Sequence, residues 1–328
     1  MFMTQFITHT IEPWMPLGAL KAKSDYAKIA VASGWTALPI QRYNDTRYSD
    51  NIRLEHINDW LAPVQSNDLV LHQFPTYMSA DLESAFATKL RQNNIRSAVL
   101  IHDIEPLRLI KTNTWEFDVL NQYDTIIVHS ETMKTRLQTA GITSQFIIQP
   151  LFDYLSDPVP AAQFSQRINF AGTFQKSPWL QTYTGPHLTL FGSKPKKWQH
   201  ISLPTTIDYQ GNFDPDQIVS YLHDGFGLIW DNDFDDKTYQ TYTKYNAPHK
   251  ASLYLRAELP LIAWSQSALG QLIMAHHIGF VINNLDDLAS ELKQIDRQQY
   301  LVWQTNIKKI SKNLRLGIYT RQTLQQLN

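Results

Sequence analysis

The sequence predicts an α/β protein built from two Rossmann-like domains that face a cleft. Three observations carry that expectation. Short apolar runs alternate with helix-patterned stretches over the first 150 residues, a rhythm that means a parallel sheet with helices on both faces. The rhythm breaks between residues 150 and 160, where Pro150, Pro158 and Pro160 stand among Asp153, Ser156 and Asp157, which reads as a linker. It then restarts and runs to the C-terminus. The expected domains are 1–150 and 151–328, the last helices being able to pack back on the first domain. A chain of 328 residues is long enough for two cores.

The elements follow in order. Residues 3–8 form a strand pattern, then comes a loop with Pro13, Pro16 and Gly18. Residues 20–32 read as a helix, 36–40 as a strand and 54–61 as a helix. Residues 68–73 are a compact strand and 80–90 a helix; 96–102 and 125–129 are strands, and the helix 131–140 closes at Gly141. Beyond the linker, strands are expected at 167–171, 188–191, 207–210, 226–230, 261–264 and 278–282, with a helix over 214–222 and helices to the end. Such sheets bind ligands beyond the carboxyl ends of their strands.

Composition narrows the function classes. The chain is 43% hydrophobic and 18% charged with a net charge of -1, which argues against a general nucleic-acid binder. The absence of cysteine excludes disulfides and thiolate metal sites. No apolar run approaches the ~20 residues of a membrane helix, and the polar start with Glu12 and Pro13 is no signal peptide. A cytoplasmic protein is expected.

One stretch organises the rest: Tyr242 to Leu255, running into Leu261–Trp264. Pro248 suits the first turn of a helix, Asn246 is positioned to cap it, and Lys250 lies in that turn. Free backbone N–H groups and the positive end of the helix dipole make such a start a seat for phosphate; the bland alternative is a capped helix with a solvated lysine. A second stretch, Phe170 to Trp179, combines a strand end, the turn Gly172-Thr173 and Lys176. Glycine allows close backbone approach to a ligand and the lysine could meet a phosphate, although glycine turns after strands are ordinary. The acidic loop 231–236 contains Asp231-x-Asp233. Such a pair can hold a divalent metal on a nucleotide diphosphate, but a run this acidic is usually a solvated loop.

Three segments together, Phe170-Ala-Gly-x-x-x-Lys-Ser-Pro, Gly225-Phe-Gly-Leu-Ile-Trp-Asp231 and Lys244-Tyr-Asn-x-Pro-His-Lys-x-Ser-Leu-Tyr-Leu255, resemble one bacterial glycosyltransferase family. Its members include transferases that extend O-glycans on serine-rich-repeat adhesins and β-1,6-galactofuranosyltransferases of surface polysaccharides. The first half resembles it more thinly, through Ile101-His-Asp-Ile-Glu-Pro-Leu-Arg108 and the Gly18 to Lys23 loop. The resemblance implies a GT-B fold, a UDP-sugar donor held mainly by the C-terminal domain, no metal requirement and a homo-oligomer. It also implies that Lys250 and Lys176 meet the diphosphate and that Tyr245 and Asn246 border the nucleotide. Two departures stand out: Arg256, Ala257 and Glu258 occupy a turn where relatives have small residues with glycine, and some relatives carry arginine at Lys176. Glutamate enters a left-handed cap less cheaply than glycine, so that turn is expected to differ.

On the acceptor side, His102-Asp103 ends a strand. An inverting transfer needs a base for the acceptor hydroxyl proton; Asp103 is the first candidate, His102 the second, and His72 a weaker third. The alternative is that Asp103 caps the following turn and pairs with Arg108. Gly18, Lys21 and Lys23, near the first strand's end, could touch donor or acceptor, though such lysines are more often solvated. The expectation is a cytoplasmic, metal-independent, inverting transferase moving a hexose of glucose or N-acetylglucosamine type from a UDP-sugar to a glycan or glycoprotein acceptor, in adhesin or cell-surface glycosylation. The alternatives are a galactofuranosyltransferase, a non-catalytic nucleotide-sugar-binding partner, and a metal-dependent transferase using Asp231 and Asp233.

Overall fold

A computed structural model describes residues 3–12, 17–109 and 114–327. By compactness the chain divides into two units, Met1–Pro150 with Tyr319–Asn328, and Leu151–Ile318. The first unit runs β1 (Gln5–Ile11), α1 (Leu17–Val31), β2 (Thr36–Gln41), α2 (Asp50–Trp60), β3 (Leu69–Phe74), α3 (Ala80–Gln92), β4 (Arg96–Ile101), α4 (Trp115–Leu120), β5 (Thr125–Val128), α5 (Glu131–Thr139) and β6 (Gln145–Ile148). Its strands form one parallel sheet in the order β2-β1-β3-β4-β5-β6. Helices cover both faces, so β3 buries every residue, as a near-continuous apolar run predicts. Ser79 and Ser130 cap α3 and α5 through the amides of Leu82 and Met133.

The second unit contains β7 (Gln163–Ala171), β8 (Leu188–Phe191), β9 (Ile207–Gly211), β10 (Asp224–Ile229), a small hairpin of β11 (Asp233–Phe234) and β12 (Lys237–Thr238), α6 (Tyr239–Tyr242), α7 (His249–Arg256), β13 (Leu261–Trp264), α8 (Ala268–His276), β14 (Gly279–Ile282), α9 (Leu288–Gln294) and α10 (Arg297–Arg315). The final helix, α11 (Ile318–Gln326), lies almost wholly in the first unit. There Arg96 donates to the Leu327 carbonyl and Arg321 to Ser33 Oγ. The second sheet is also parallel, in the order β14-β13-β10-β7-β8-β9. Its core is aromatic: Tyr300 and Trp303 of α10 meet Phe226 of β10, and the Tyr300 hydroxyl donates to the Gly225 carbonyl at 3.0 Å.

In each sheet the chain reverses its direction of growth once: between β1 and β3 in the first, and between β7 and β10 in the second. A crevice opens at the carboxyl ends of the strands flanking such a reversal. In the second unit α7 is clamped there. The Tyr254 ring lies against Gly227, where an added Cβ would come within 2.3 Å of it. The Tyr254 hydroxyl accepts the Ala171 amide at 2.7 Å.

Several expectations change in the structure. The helix expected from residue 20 starts at Leu17, so Gly18 sits exposed in the first turn of α1 rather than in a loop. Sequence reading missed β6, a short edge strand. The helix expected over 214–222 shrinks to the 3-10 turn Ile218–Tyr221, because Asp214 Oδ1 accepts the Asp216 amide and competes with helix. The expected linker is solvated only in its second half: Leu151, Phe152, Asp153 and Tyr154 are buried. Ser252 Oγ donates to the Phe152 carbonyl and the Tyr154 amide to the Leu314 carbonyl, both within the second unit.

Glu258 does enter the left-handed region, with φ 58°. The amides of Glu258 and Leu259 close on the carbonyls of Leu255 and Tyr254 at 3.1 and 3.0 Å, the double bond that ends many helices. Gln304 of α10 donates to the Glu258 carbonyl, so the cost of about 1–2 kcal/mol for a side chain there is offset by packing.

Replacing Tyr254 by Phe leaves the part-buried Ala171 amide without this partner and should destabilise the second unit by about 1–2 kcal/mol. A lowered thermal midpoint with unchanged secondary structure is the expected readout; an unchanged midpoint would remove the clamp from the account.

Candidate active site

At the reversal point of the second sheet, β7 ends in Ala171-Gly172 and β10 is followed by Trp230-Asp231. Lys250 is four residues before Tyr254, on the same face of α7, so the Tyr254–Ala171 bond delivers it to this edge. Its ammonium stands 3.6 Å from Asp231 Oδ1 and 4.8 Å above the Phe170 ring, both charged side chains being 17% exposed. Asp233 is engaged separately, accepting the Thr241 amide at 3.0 Å and its hydroxyl at 2.6 Å. Among the described residues no three His, Asp or Glu side chains gather as a metal site.

The start of α7 differs from expectation. Pro248 is extended (ψ 134°) and precedes the first helical residue, and no side chain caps the helix. Asn246, two residues further out, is too early to cap. Its Oδ1 is instead buried without a hydrogen bond, an acceptor awaiting a donor. Tyr245 is half-buried beside it, in the turn between α6 and α7. Gly172 and exposed Thr173 lead into two 3-10 turns, Phe174–Lys176 and Pro178–Gln181. The Lys176 stretch therefore starts no α-helix and offers only its charge, 5.3 Å over the Tyr239 ring. Ser177 Oγ and Trp179 Nε1, next to it, are buried and unbonded. The sequence thus brings Lys250 and Asp231 together, and sets Lys176, Tyr245 and Asn246 on turns of the same unit.

A cavity of about 620 Å³ beside Arg167, His187, Asp224 and Lys293 lies where β7, β8 and β10 begin. That is the amino edge of the sheet. Ligands of such sheets bind at the opposite edge, and the site is placed there.

In the first unit, Asp103 and His102 stand just beyond β4. Asp103 Oδ2 pairs with Arg108 Nη1 at 2.9 Å and accepts the Tyr77 hydroxyl at 3.4 Å, with the carboxylate side chain 27% exposed. His102 Nε2 meets Gln73 Oε1 at 3.0 Å. His72, by contrast, is fully buried between Thr8 Oγ1 and Glu83, at 3.1 and 3.0 Å, and is a core histidine.

Four residues complete this edge, and three of them, Glu12, Arg42 and Tyr77, are not among the candidates read from the sequence. Glu12, just beyond β1, pairs with Arg42, just beyond β2, while its buried Oε2 has no bond. Arg42 also donates to the Tyr77 carbonyl at 3.0 and 2.7 Å, holding Tyr77 in the left-handed region at φ 61°. Lys23 donates to the Pro75 carbonyl and lies 4.8 Å from the Tyr77 ring centroid. Lys21 and Lys23, for which ligand contact and solvation were the two expectations, are buried on α1, Lys21 being paired with Asp25 at 2.9 Å. Burial pushes the Lys23 ammonium down to about 8, against the pull of Glu83, Asp103 and Glu12. The available signal was positional: charged residues directly after apolar strand runs.

The two parallel-sheet α/β domains are of the GT-B glycosyltransferase type. Family models described as glucosyltransferase 3-like match residues 4–151 as the N-terminal domain and 168–327 as the C-terminal domain, and the chain belongs to that family. It is 27% identical to Glucosyltransferase 3 of Streptococcus gordonii over 93% of this chain and 92% of that one. It is equally 27% identical to the β-1,6-galactofuranosyltransferase WbbI of Escherichia coli K12, covering 94% and 92%. In fold it resembles a trehalose-6-phosphate enzyme of E. coli solved with UDP-2-fluoro glucose (TM-score 0.65, 11% identity, 99% of each chain). It also resembles an α-glucosyltransferase in complex with UDP (TM-score 0.59, 14% identity, 98% and 99%). No helix of the described residues is long and apolar enough to cross a membrane.

The depressed Lys23 value makes a stability prediction. Below pH 8 the lysine is charged in both states and the folded protein carries the full burial penalty. Between about 8 and the ordinary 10.5 the unfolded chain binds the extra proton, so stability rises with pH, by about 3 kcal/mol at most. Urea unfolding of wild type against Lys23→Met across that window should show the rise only in the wild type; parallel curves would refute it.

Proposed function

We propose that this chain is a metal-independent, inverting transferase that moves glucose, or a closely similar hexose, from a UDP-sugar to a glycan or glycoprotein acceptor. The observation that carries the reading is Lys250 at the start of α7, clamped at the reversal point of a parallel sheet by Tyr254. An uncapped helix start and an ammonium together favour a diphosphate. Lys176 supplies a second charge. Gly172 and Thr173 give a turn a phosphate can approach, and Tyr245 and the orphan Oδ1 of Asn246 border the nucleotide. Structural neighbours solved with UDP or UDP-sugars support this donor class, and relatives named glucosyltransferase support the sugar. The identity to WbbI keeps a galactofuranosyl donor as the second reading.

In the proposed mechanism the acceptor hydroxyl oxygen attacks the anomeric carbon while the bond to UDP breaks on the opposite face. Asp103 takes the hydroxyl proton, and UDP leaves with the electron pair, its charge met by Lys250 and Lys176. Asp231 and Asp233 are engaged with Lys250 and Thr241, which supports neutralisation by lysine rather than through an Asp-x-Asp metal site. His102 is the second candidate base. Gly18, exposed on α1, has no role assigned. Adhesin or cell-surface glycosylation in the cytoplasm, by a homo-oligomer, is the setting the family suggests.

Lys250→Ala should weaken UDP binding by about 1.5–3 kcal/mol in calorimetry, and transfer should survive EDTA. Unchanged UDP affinity, or activity lost to EDTA and restored by manganese, would overturn these parts of the reading. Asp103→Asn should lower transfer by about 10²–10⁴-fold while UDP affinity holds. One neighbour is described as transferring with retention, so the product's anomeric configuration matters. Inversion by NMR is expected; retention would remove Asp103 as base.

A further inference from the structure

Asp231 poses a problem for a diphosphate site. It stands directly beyond β10, at the strand edge where α7 presents Lys250. Among the described residues Lys250 is its only ion-pair partner, at 3.6 Å. The Lys250 ammonium rests 4.8 Å over the Phe170 ring, and the Asp231 charge also reaches the Tyr254 hydroxyl, whose pKa burial and then that charge push up. Neither neutralises a carboxylate. A divalent cation is a poor explanation, since the ammonium already beside Asp231 would repel it and Asp233 is turned to Thr241.

We propose that Asp231 is a counter-charge that competes with the donor's diphosphate for Lys250 and keeps UDP binding weak enough for the product to leave. This rests on the reading of Lys250 as the diphosphate ligand. An ammonium has three N–H groups and can hold the carboxylate and a phosphate oxygen at once. A phosphate oxygen within hydrogen-bond reach of Nζ then lies within roughly 7 Å of the carboxylate. At a site both side chains expose by only 17%, water screens that repulsion incompletely. Before the donor arrives, the same pair keeps the Lys250 ammonium at the strand edge instead of extended into solvent. Asp231 thus pre-positions the lysine and opposes over-tight retention of the leaving group. Product release sets the turnover of many enzymes, and a leaving group with two phosphates on a helix start is a product that needs such opposition.

The test is calorimetry in EDTA with UDP and with uridine, which lacks the diphosphate, on wild type, Asp231→Asn and Lys250→Ala. Asp231→Asn should bind UDP about tenfold tighter, leave uridine affinity unchanged, and show correspondingly stronger product inhibition by UDP. UDP affinity equal to or weaker than wild type would overturn the proposal. If Lys250→Ala weakens UDP while Asp231→Asn matches wild type, only the counter-charge falls. If Lys250→Ala leaves UDP affinity unchanged, the diphosphate reading falls and this proposal with it. Should the asparagine variant not fold, Asp231→Ser carries the same expectation.

Discussion

The bond from the Ala171 amide to the Tyr254 hydroxyl is the contact on which the second unit's functional edge depends. It joins the end of β7 to α7, two elements 83 residues apart, at the place where the sheet reverses its growth. Glycine at position 227 lets the ring come down on β10. Because Lys250 and Tyr254 share a helical face, fixing the tyrosine fixes the lysine. The left-handed Glu258 then turns the chain at once into β13, so α7 can be only eight residues long and still be held at both ends. Local rules disfavour a glutamate there; the paired carbonyls and Gln304 decide otherwise.

The first unit uses charge rather than an aromatic clamp. Glu12, Arg42, Lys23 and Tyr77 form a linked set beyond β1, β2 and β3, with Asp103 at its end through the Tyr77 hydroxyl. Burying an ammonium is expensive unless it is paired and bonded. The lowered Lys23 value shows that here the compensation is incomplete. A left-handed tyrosine held by an arginine on its carbonyl is a further local cost. Costs of this kind persist where surrounding structure over-determines them, and they gather at functional sites.

The two edges suit different chemistry. The second unit offers cations, an uncapped helix start and unbonded polar atoms at Asn246, Ser177 and Trp179, which suits an anionic, hydrogen-bonding ligand such as a nucleoside diphosphate. The first offers a half-exposed carboxylate steered by Arg108 and Tyr77, which suits a neutral polyhydroxyl compound whose proton must be taken.

By itself the sequence determined the fold class, most strand positions and the family motif from Lys244 to Leu255. These are local signals: apolar runs, turn residues and a motif read within a dozen positions. Tertiary structure alone decided that Asp231 faces Lys250, that Asn246 is an orphan acceptor instead of a cap, that His72 is core, and that Lys23 is buried under Tyr77. Each of these depends on which strands lie side by side, and a parallel sheet makes neighbours of segments far apart in the chain. Periodicity reports which face of an element is buried; it carries no record of the partner that buries it.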